Sequence, residues 1–152
     1  MKRIYLDDIR TPIEKDWIVV RNFDEFKSKV REIGLGGIGL ISLDHDLGDT
    51  AMKEYFNNVS PNFKLNYDNI TEKTGYDCAK WLVDMFYGQF PERVHMQRSA
   101  KNKANQEGFT FPTIVVHSAN PIGSANIMGY INNFYMNEDR PQTCVRVRIE
   151  HT

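Results

Sequence analysis

The stretch Ile114-Val115-Val116-His117-Ser118-Ala119-Asn120-Pro121 places an imidazole and a hydroxyl group between an apolar segment and a predicted helix start. Its β-branched residues predict a short buried strand, and Asn120 before Pro121 is typical of an N-cap followed by proline in the first helical turn. In open α/β sheets, ligands bind outside the carboxyl ends of the strands, where helix N-termini offer free N–H groups to anions. We therefore expect His117 and Ser118 to face a ligand-binding crevice.

Two other predicted strands also end in polar residues. Asp7 and Asp8 follow the first strand, and Asp44, His45 and Asp46 follow the third. Four carboxylates in one crevice are costly to desolvate unless a cation offsets their repulsion. The sequence therefore predicts a divalent metal, Mg²⁺ or alternatively Mn²⁺, held by Asp7, Asp8, Asp44 and Asp46. The alternative is that these acids only cap turns at strand ends.

The bulk composition indicates one globular domain over residues 1–152, with 41% hydrophobic residues. The net charge of -1, from 19 basic and 20 acidic residues, gives no general attraction to nucleic acid. No segment is long and apolar enough to predict a membrane span, and no signal-peptide core is present. The two cysteines, Cys78 and Cys144, have no metal-ligand spacing and are expected to be reduced core residues. We expect a soluble, cytoplasmic protein.

Strand and helix patterns alternate along the chain. Asn22 with Glu25 resembles a capping box before a helix that has apolar residues at helical spacing. The connection between the first two predicted strands is short for a parallel crossover with a helix. Strands are predicted at 2–6, 17–21, 40–43, 114–116 and 144–149, and helices at 23–33, 75–87 and 121–136. This alternation predicts a mostly parallel sheet covered on both faces.

Two polar stretches interrupt the pattern. Residues 48–74 show no sustained period and are interpreted as an insertion after the third strand, either a lid over the crevice or a merely decorative loop. Residues 97–108 carry Arg98, Lys101 and Lys103. They form either a solvated charged loop or a phosphate contact.

The spacing of these polar groups resembles a response-regulator receiver domain, with paired acids after the first strand, an acid after the third, and Ser118-Ala119 after the fourth. The sequence is more closely similar to the cyclic-phosphate processing receiver domains. The stretches that carry this similarity are 6–12 (LDDIRTP), 42–48 (SLDHDLG), 74–77 (TGYD) and 117–121 (HSANP). The resemblance implies a flavodoxin-like, receiver-type three-layer sandwich with five strands in the order 2-1-3-4-5, and a Mg²⁺ site among the acids.

The chain departs from ordinary receivers at two points. The last strand has no lysine at its end, where a receiver uses one to contact the phosphoryl group, so phosphorylation switching is disfavoured. His45 and His117 flank the crevice, where a receiver has neither. Histidine exchanges protons near neutral pH, which suits phosphoester cleavage. His95 and His151 lack such surroundings in the sequence.

The resemblance implies a phosphoesterase that processes a cyclic phosphate on a small nucleotide, an RNA end or an ADP-ribose derivative. His117, His45 and Ser118 are the predicted catalytic residues. Arg10, Ser118 and Asn120 are the predicted substrate contacts. The other hypothesis is a degenerate receiver domain that binds a ligand or a protein partner without chemistry.

Each polar residue also has a structural interpretation. His117 would bridge a strand and a loop, and His45 would pair with its neighbouring acids. Arg10 would form a salt bridge with the same acids. Asn120 would cap the following helix.

Overall fold

The computed structural model describes residues 1–89 and 110–152, and its centre is a five-stranded sheet. All four strand pairs are parallel, and the order is β2-β1-β3-β4-β5. The strands are β1 (Lys2–Leu6), β2 (Trp17–Val20), β3 (Ile38–Leu43), β4 (Thr113–Val116) and β5 (Val145–Arg146). The flavodoxin-like, receiver-type fold and its strand order are therefore confirmed.

The helices begin where the sequence places capping side chains. Oδ1 of Asn22 accepts the Glu25 N–H at 2.8 Å, and Oδ1 of Asn120 accepts the Gly123 N–H at 2.9 Å. The helices are α1 (Phe23–Ile33), α2 (Asp49–Glu54), α3 (Ser60–Asn62), α4 (Gly75–Gly88) and α5 (Pro121–Asn137). None of the helices described is both long and apolar enough to cross a bilayer.

One face of the sheet holds the main core. Alternate strand residues point to this face, because successive side chains of a strand point to opposite sides. The fully buried strand residues there are Ile4, Leu6, Ile41, Leu43, Ile114 and Val116. α1, α4 and α5 pack on this side, since the crossovers from β2 to β3, β3 to β4 and β4 to β5 all run in one direction with right-handed connections.

The second face differs from the expected helical layer. The connection from β1 to β2, residues 7–16, runs in the opposite direction and contains no helix, because it is too short for a helical crossover. No helix within residues 1–89 and 110–152 packs on this face. The end of the chain instead folds over the connection, where the Ile13 N–H donates to Glu150 O and the Thr152 N–H donates to Thr11 O, both at 3.0 Å.

The segment 48–74, interpreted as an insertion or lid loop, is largely helical. α2 continues through a π-helical turn at Tyr55–Val59 into α3. The buried carboxylate of Glu54 accepts hydrogen bonds from Asn58, Asn69 and the Asn66 N–H at 2.8 to 2.9 Å. Hydrogen bonds to this carboxylate hold much of the segment together. Its helix therefore needs no regular stripe of apolar residues, and the sequence shows none. Its role as a lid stays a prediction, and the polar stretch 97–108 lies outside the described residues.

Candidate active site

The ends of three neighbouring strands meet at the carboxyl edge of the sheet. The Asp44 N–H donates to Leu6 O at 3.0 Å, and the His117 N–H donates to Leu43 O at 3.0 Å. These bonds extend the strand ladder by one residue on each side of β3. Asp7, Asp44 and His117 therefore follow their strands at the same level, as the sequence predicts.

Asp7 lies at the centre of the site and is only 1% exposed. Its Oδ1 accepts the backbone N–H groups of Ile9 at 3.0 Å and Arg10 at 2.8 Å. Its Oδ2 contacts Arg10 Nε at 2.9 Å and His117 Nε2 at 3.1 Å. Burial opposes ionisation, but the bonds from His117 and the backbone, together with the charge of Arg10, outweigh it and lower the pKa of Asp7 below its usual range. Asp7 is thus an anion whose acceptor positions are all engaged.

Asp8 and Asp44 form an acidic cluster with Asp7. One carboxylate oxygen of each lies within 4.8 Å of the others. Burial, followed by the charge of Asp7, raises the pKa of Asp44 to about 7, although Arg10 partly opposes the shift. Burial and Asp7 also raise the pKa of Asp8. Burial is the larger cause of both shifts and repulsion from the Asp7 carboxylate the next, and a bound cation would relieve both effects.

The acidic cluster fits a hard divalent cation. Its donors are carboxylate oxygens, which Mg²⁺ and Mn²⁺ prefer. Oδ2 of Asp44 lies outside hydrogen-bond distance of every described donor; Arg10 Nη2 is 3.8 Å away. Asp8 and Asp44 would therefore hold the ion, and Asp7 would join them if it released Arg10 or His117.

His117 is held by three contacts. Its ring stacks on Tyr5 with centroids 4.2 Å apart, Nδ1 lies 2.7 Å from Ser42 Oγ, and Nε2 faces Asp7. Burial lowers the pKa of His117 against the opposing effect of Asp7, which favours the neutral ring. Because ionised Asp7 only accepts, the proton belongs on Nε2, and Nδ1 accepts from the Ser42 hydroxyl. The chain Ser42-His117-Asp7 has the residue types of hydrolase triads, but Ser42 is fully buried and so orients the ring.

His151 is a site residue that the sequence analysis missed. One of its ring nitrogens lies within 4.8 Å of a carboxylate oxygen of Asp7 and of a ring nitrogen of His117. Its Nε2 is hydrogen-bonded to the Tyr5 hydroxyl, and no described residue bonds its Nδ1. An antiparallel bridge between Pro12 and His151 fixes the backbone that carries this ring. Burial, followed by the charge of Arg10, lowers the pKa of His151. No local sequence signal reveals a pairing between residues so far apart.

His45 and Asp46 are not among the described residues whose ligand atoms lie within 4.8 Å of one another, although the charge of Asp46 still raises the pKa of Asp8 and Asp44. His45 is 0% exposed, and its two nitrogens contact Asp46 Oδ1 at 2.6 Å and the Tyr67 hydroxyl at 2.9 Å. Asp46 Oδ1 also accepts from Asn120 Nδ2 at 3.2 Å. The strand ends at Leu43, so the chain turns and carries both side chains under α5. In this position both ring nitrogens of the fully buried His45 are paired with protein groups.

Two glycines allow helices to approach the 44–46 loop. A Cβ atom on Gly75 would lie 1.8 Å from the carbonyl oxygen of Asp44, at the start of α4. A Cβ atom on Gly123 would lie 2.3 Å from the ring of His45, in the first turn of α5. The Gly75 N–H also donates to His45 O at 2.9 Å. These contacts require glycine at both positions.

Ser118 and Asn120 shape the loop after β4. Oγ of Ser118 accepts the Asn120 N–H at 3.0 Å, and no described group accepts its hydroxyl hydrogen. Both residues are nearly inaccessible, at 3% and 1% exposed. The Asn120 side chain caps α5 through Oδ1 and donates to Asp46 through Nδ2, which confirms the capping prediction. The Ser118 carbonyl accepts from Arg146 Nε at 3.1 Å and Nη2 at 2.7 Å.

An open cleft of about 630 Å³ lies beside His117, between the last residues of the chain and the β1–β2 connection. We call it the arginine cleft. It is lined by Arg10, Ile13, His117 and residues 146–151. Arg10 therefore connects the cleft to the acidic cluster, since its guanidinium contacts Asp7.

Comparison with known proteins gives one match. A family model described as Cyclic-phosphate processing Receiver domain matches residues 2–133. No curated protein matches the chain. No solved structure matches it either. The matched range includes the acidic cluster and His117 and ends before β5, so Arg146, Arg148 and His151 lie beyond it.

Proposed function

This chain belongs to the Cyclic-phosphate processing Receiver domain family, and on that premise we propose that it is a phosphoesterase that hydrolyses a cyclic phosphodiester. The substrate would be a nucleotide, an RNA end or an ADP-ribose derivative. The observation that carries the proposal is the carboxylate of Asp7, which joins the acidic cluster to both Arg10 and His117.

Asp8 and Asp44, with Asp7, would hold the divalent ion. When bound, such an ion polarises the phosphoryl group and orients a water molecule. Arg10 is 39% exposed at its side chain and faces the cleft, so it is placed to donate to phosphoryl oxygens. The hydroxyl hydrogen of Ser118, which no described residue accepts, would donate to another oxygen of the phosphate.

The proposed reaction is a hydrolysis. The oxygen of a water molecule bonds to phosphorus, and one of the two ester P–O bonds of the ring breaks. A histidine takes one proton from the water, and a second histidine gives a proton to the leaving sugar oxygen. We assign these steps to His117 and His151, in either order, because both line the arginine cleft. His117 would have to release Ser42 or Asp7 to take part, whereas Nδ1 of His151 needs no such change.

His45 has a different part in this scheme. Its ring supports Asp46 and, through Asp46, the cap residue Asn120. It would therefore act as a positioning residue for the 44–46 loop and the start of α5, and not as a proton donor to substrate.

A turnover panel tests the proposal. It comprises 2′,3′-cyclic nucleotides, RNA ends with a cyclic phosphate, 3′,5′-cyclic nucleotides and an ADP-ribose cyclic phosphate, each with Mg²⁺, Mn²⁺ or a chelator. Turnover by the wild type that falls about 10²- to 10⁴-fold in His117→Ala would support it. An unchanged rate in the folded variant would contradict the assignment of His117 as a proton-transfer residue.

A degenerate receiver that binds without chemistry is the second candidate. It is favoured by the burial of Ser42 and His117, whose polar atoms are already paired. Asp44 would be the phosphorylated residue in its switching form. Incubation with acetyl phosphate and Mg²⁺, followed by intact-mass analysis, separates the two candidates. A labile phosphate adduct on a protein that has no turnover would favour the receiver.

A further inference from the structure

The arginine cleft has more positive groups than one phosphate needs. Among the described residues that line it, Arg10, Arg146 and Arg148 are cationic, and Glu150 is the one carboxylate. His117 and His151 add two further nitrogen-bearing side chains. An anionic ligand is therefore favoured in the cleft over a neutral or cationic one.

Arg146 and Arg148 are placed together by the backbone. The chain is extended here, since Val116 pairs with Arg146 and the Val147 N–H donates to Val116 O at 2.7 Å. Residues two apart in an extended chain lie on the same side. Both arginines are exposed and line the same cleft.

The two guanidinium groups differ in how they are used. Arg146 gives two nitrogens to the Ser118 carbonyl and keeps Nη1 free of described partners. Arg148 makes no hydrogen bond or ion pair with a described residue. Arginine forms paired hydrogen bonds to phosphate oxygens, so Arg148 keeps its whole donor set free of the described residues.

The cleft is also larger than a single phosphate requires. Its volume of about 630 Å³ lies in the range of sites for nucleotide-sized ligands. One end, at Arg10 and His117, adjoins the acidic cluster where the reacting phosphate would lie. Arg148 lines the same cleft, so a second anionic group of the same ligand would meet it there.

We propose that Arg148, supported by Arg146, forms a subsite for a second phosphate group of the substrate. This inference rests on the proposed function and narrows it. The preferred substrate would be a cyclic phosphodiester that carries a further phosphate on the same molecule, and a nucleoside with only the cyclic phosphate would be a poor substrate.

Binding of two non-cyclic ligands tests the subsite without turnover. Adenosine 3′,5′-bisphosphate and adenosine 3′-monophosphate are titrated calorimetrically into the wild type in Mg²⁺. The bisphosphate should bind about tenfold more tightly, because a charge-assisted contact to arginine adds roughly this much. Arg148→Gln should lose that advantage and keep the affinity for the monophosphate, and Arg148→Lys should restore part of it.

The matched control is Arg31→Gln, which removes an exposed arginine on α1 that does not line the arginine cleft. It should leave the preference unchanged. Equal affinity for the two ligands in the wild type, or a preference that survives Arg148→Gln, would overturn the subsite. If the protein shows no turnover but prefers the bisphosphate in a way that depends on Arg148, the subsite is supported and the phosphoesterase proposal is contradicted. Ligands with a 5′-diphosphate or a 5′-phosphodiester then distinguish the source of the second phosphate.

Discussion

Nε2 of His117 lies 3.1 Å from Oδ2 of Asp7, and this contact joins the acidic cluster to the arginine cleft. The neutral imidazole donates to Asp7 on one side and accepts from Ser42 on the other. A substitution at Ser42 should therefore affect the contact between His117 and Asp7, and a substitution at Asp7 should affect the contact between His117 and Ser42.

Ser42→Ala should lower turnover with only moderate loss of stability. It removes the donor to Nδ1 of His117, so the ring loses one of the contacts that fix its orientation and tautomer. Leaving a buried acceptor unpaired costs about 1 to 3 kcal/mol of unfolding free energy. Kinetics and urea unfolding measure the two effects. Ser124→Ala is the control, since this buried hydroxyl makes only a 3.5 Å contact to Ser118 O. Equal rates in the two variants would contradict the role of Ser42.

Asp8→Asn should stabilise the metal-free protein and weaken the stabilisation by Mg²⁺. The pKa of Asp8 is raised by burial and by Asp7, so its ionised form destabilises the metal-free protein at neutral pH. The variant should therefore unfold at a higher temperature than the wild type in chelator. It should also lose the increase in Tm that Mg²⁺ gives the wild type.

Asp24→Asn is the control for that experiment, because Asp24 is an exposed acid on α1. Its response to Mg²⁺ should match the wild type. An unchanged Mg²⁺ response in Asp8→Asn would show that Asp8 does not bind the ion.

His151→Gln and His45→Gln should separate chemistry from structure. His151 borders the arginine cleft and its Nδ1 has no partner among the described residues, so its loss should lower kcat about hundredfold and change unfolding little. His45 is buried with both nitrogens paired, so its loss should cost about 1 to 3 kcal/mol of stability. Steady-state kinetics and chemical unfolding of both variants check this. A kcat that His151→Gln leaves unchanged would show that a residue other than His151 makes the second proton transfer.

Gly123→Ala should destabilise the protein far more than Gly129→Ala, although both glycines lie in α5. The added methyl group at Gly123 would overlap the ring of His45, and such overpacking costs about 1 to 3 kcal/mol. At Gly129 nothing lies within 4 Å, so alanine should stabilise the helix by up to about 1 kcal/mol. Urea unfolding of the two variants gives the comparison. Equal stabilities of Gly123→Ala and Gly129→Ala would show that α5 does not pack closely against His45.

Glu54→Gln should remove a pH-dependent part of the stability. Burial opposes the ionisation of Glu54, but hydrogen bonds from Asn66, Asn69 and Asn58 lower its pKa below the usual value. The stabilisation is then complete above the unfolded pKa of about 4.3 and is lost as pH falls through the lower folded pKa. The difference from the wild type should therefore shrink below about pH 4. The exposed Glu32→Gln is the control, and a difference that is constant with pH would contradict the account.

Local patterns predict much of this fold. The caps at Asn22 and Asn120 mark helix starts because a side-chain oxygen must satisfy the first free N–H groups. The β-branched run before His117 marks a buried strand. Strand ends with Asp7, Asp44 and His117 converge because parallel strands share one carboxyl edge.

The parts that were not predicted depend on long-range contacts. The turn after Leu43 carries His45 under α5, where the ring packs against Gly123. His151 reaches the site because the last residues pair with the β1–β2 connection, which no periodicity reveals. The helix in 48–74 is held by polar contacts to Glu54, so its sequence lacks an apolar stripe.

The most direct test of the central claim is a ³¹P NMR time course. A 2′,3′-cyclic nucleotide that carries a 5′-phosphate is incubated with Mg²⁺ and either the wild type or Asp8→Asn. The account predicts that the wild type replaces the cyclic-phosphate signal with a monoester signal, and that the variant does so only near the background rate. A cyclic signal that persists with the wild type, or equal rates for both proteins, would contradict it.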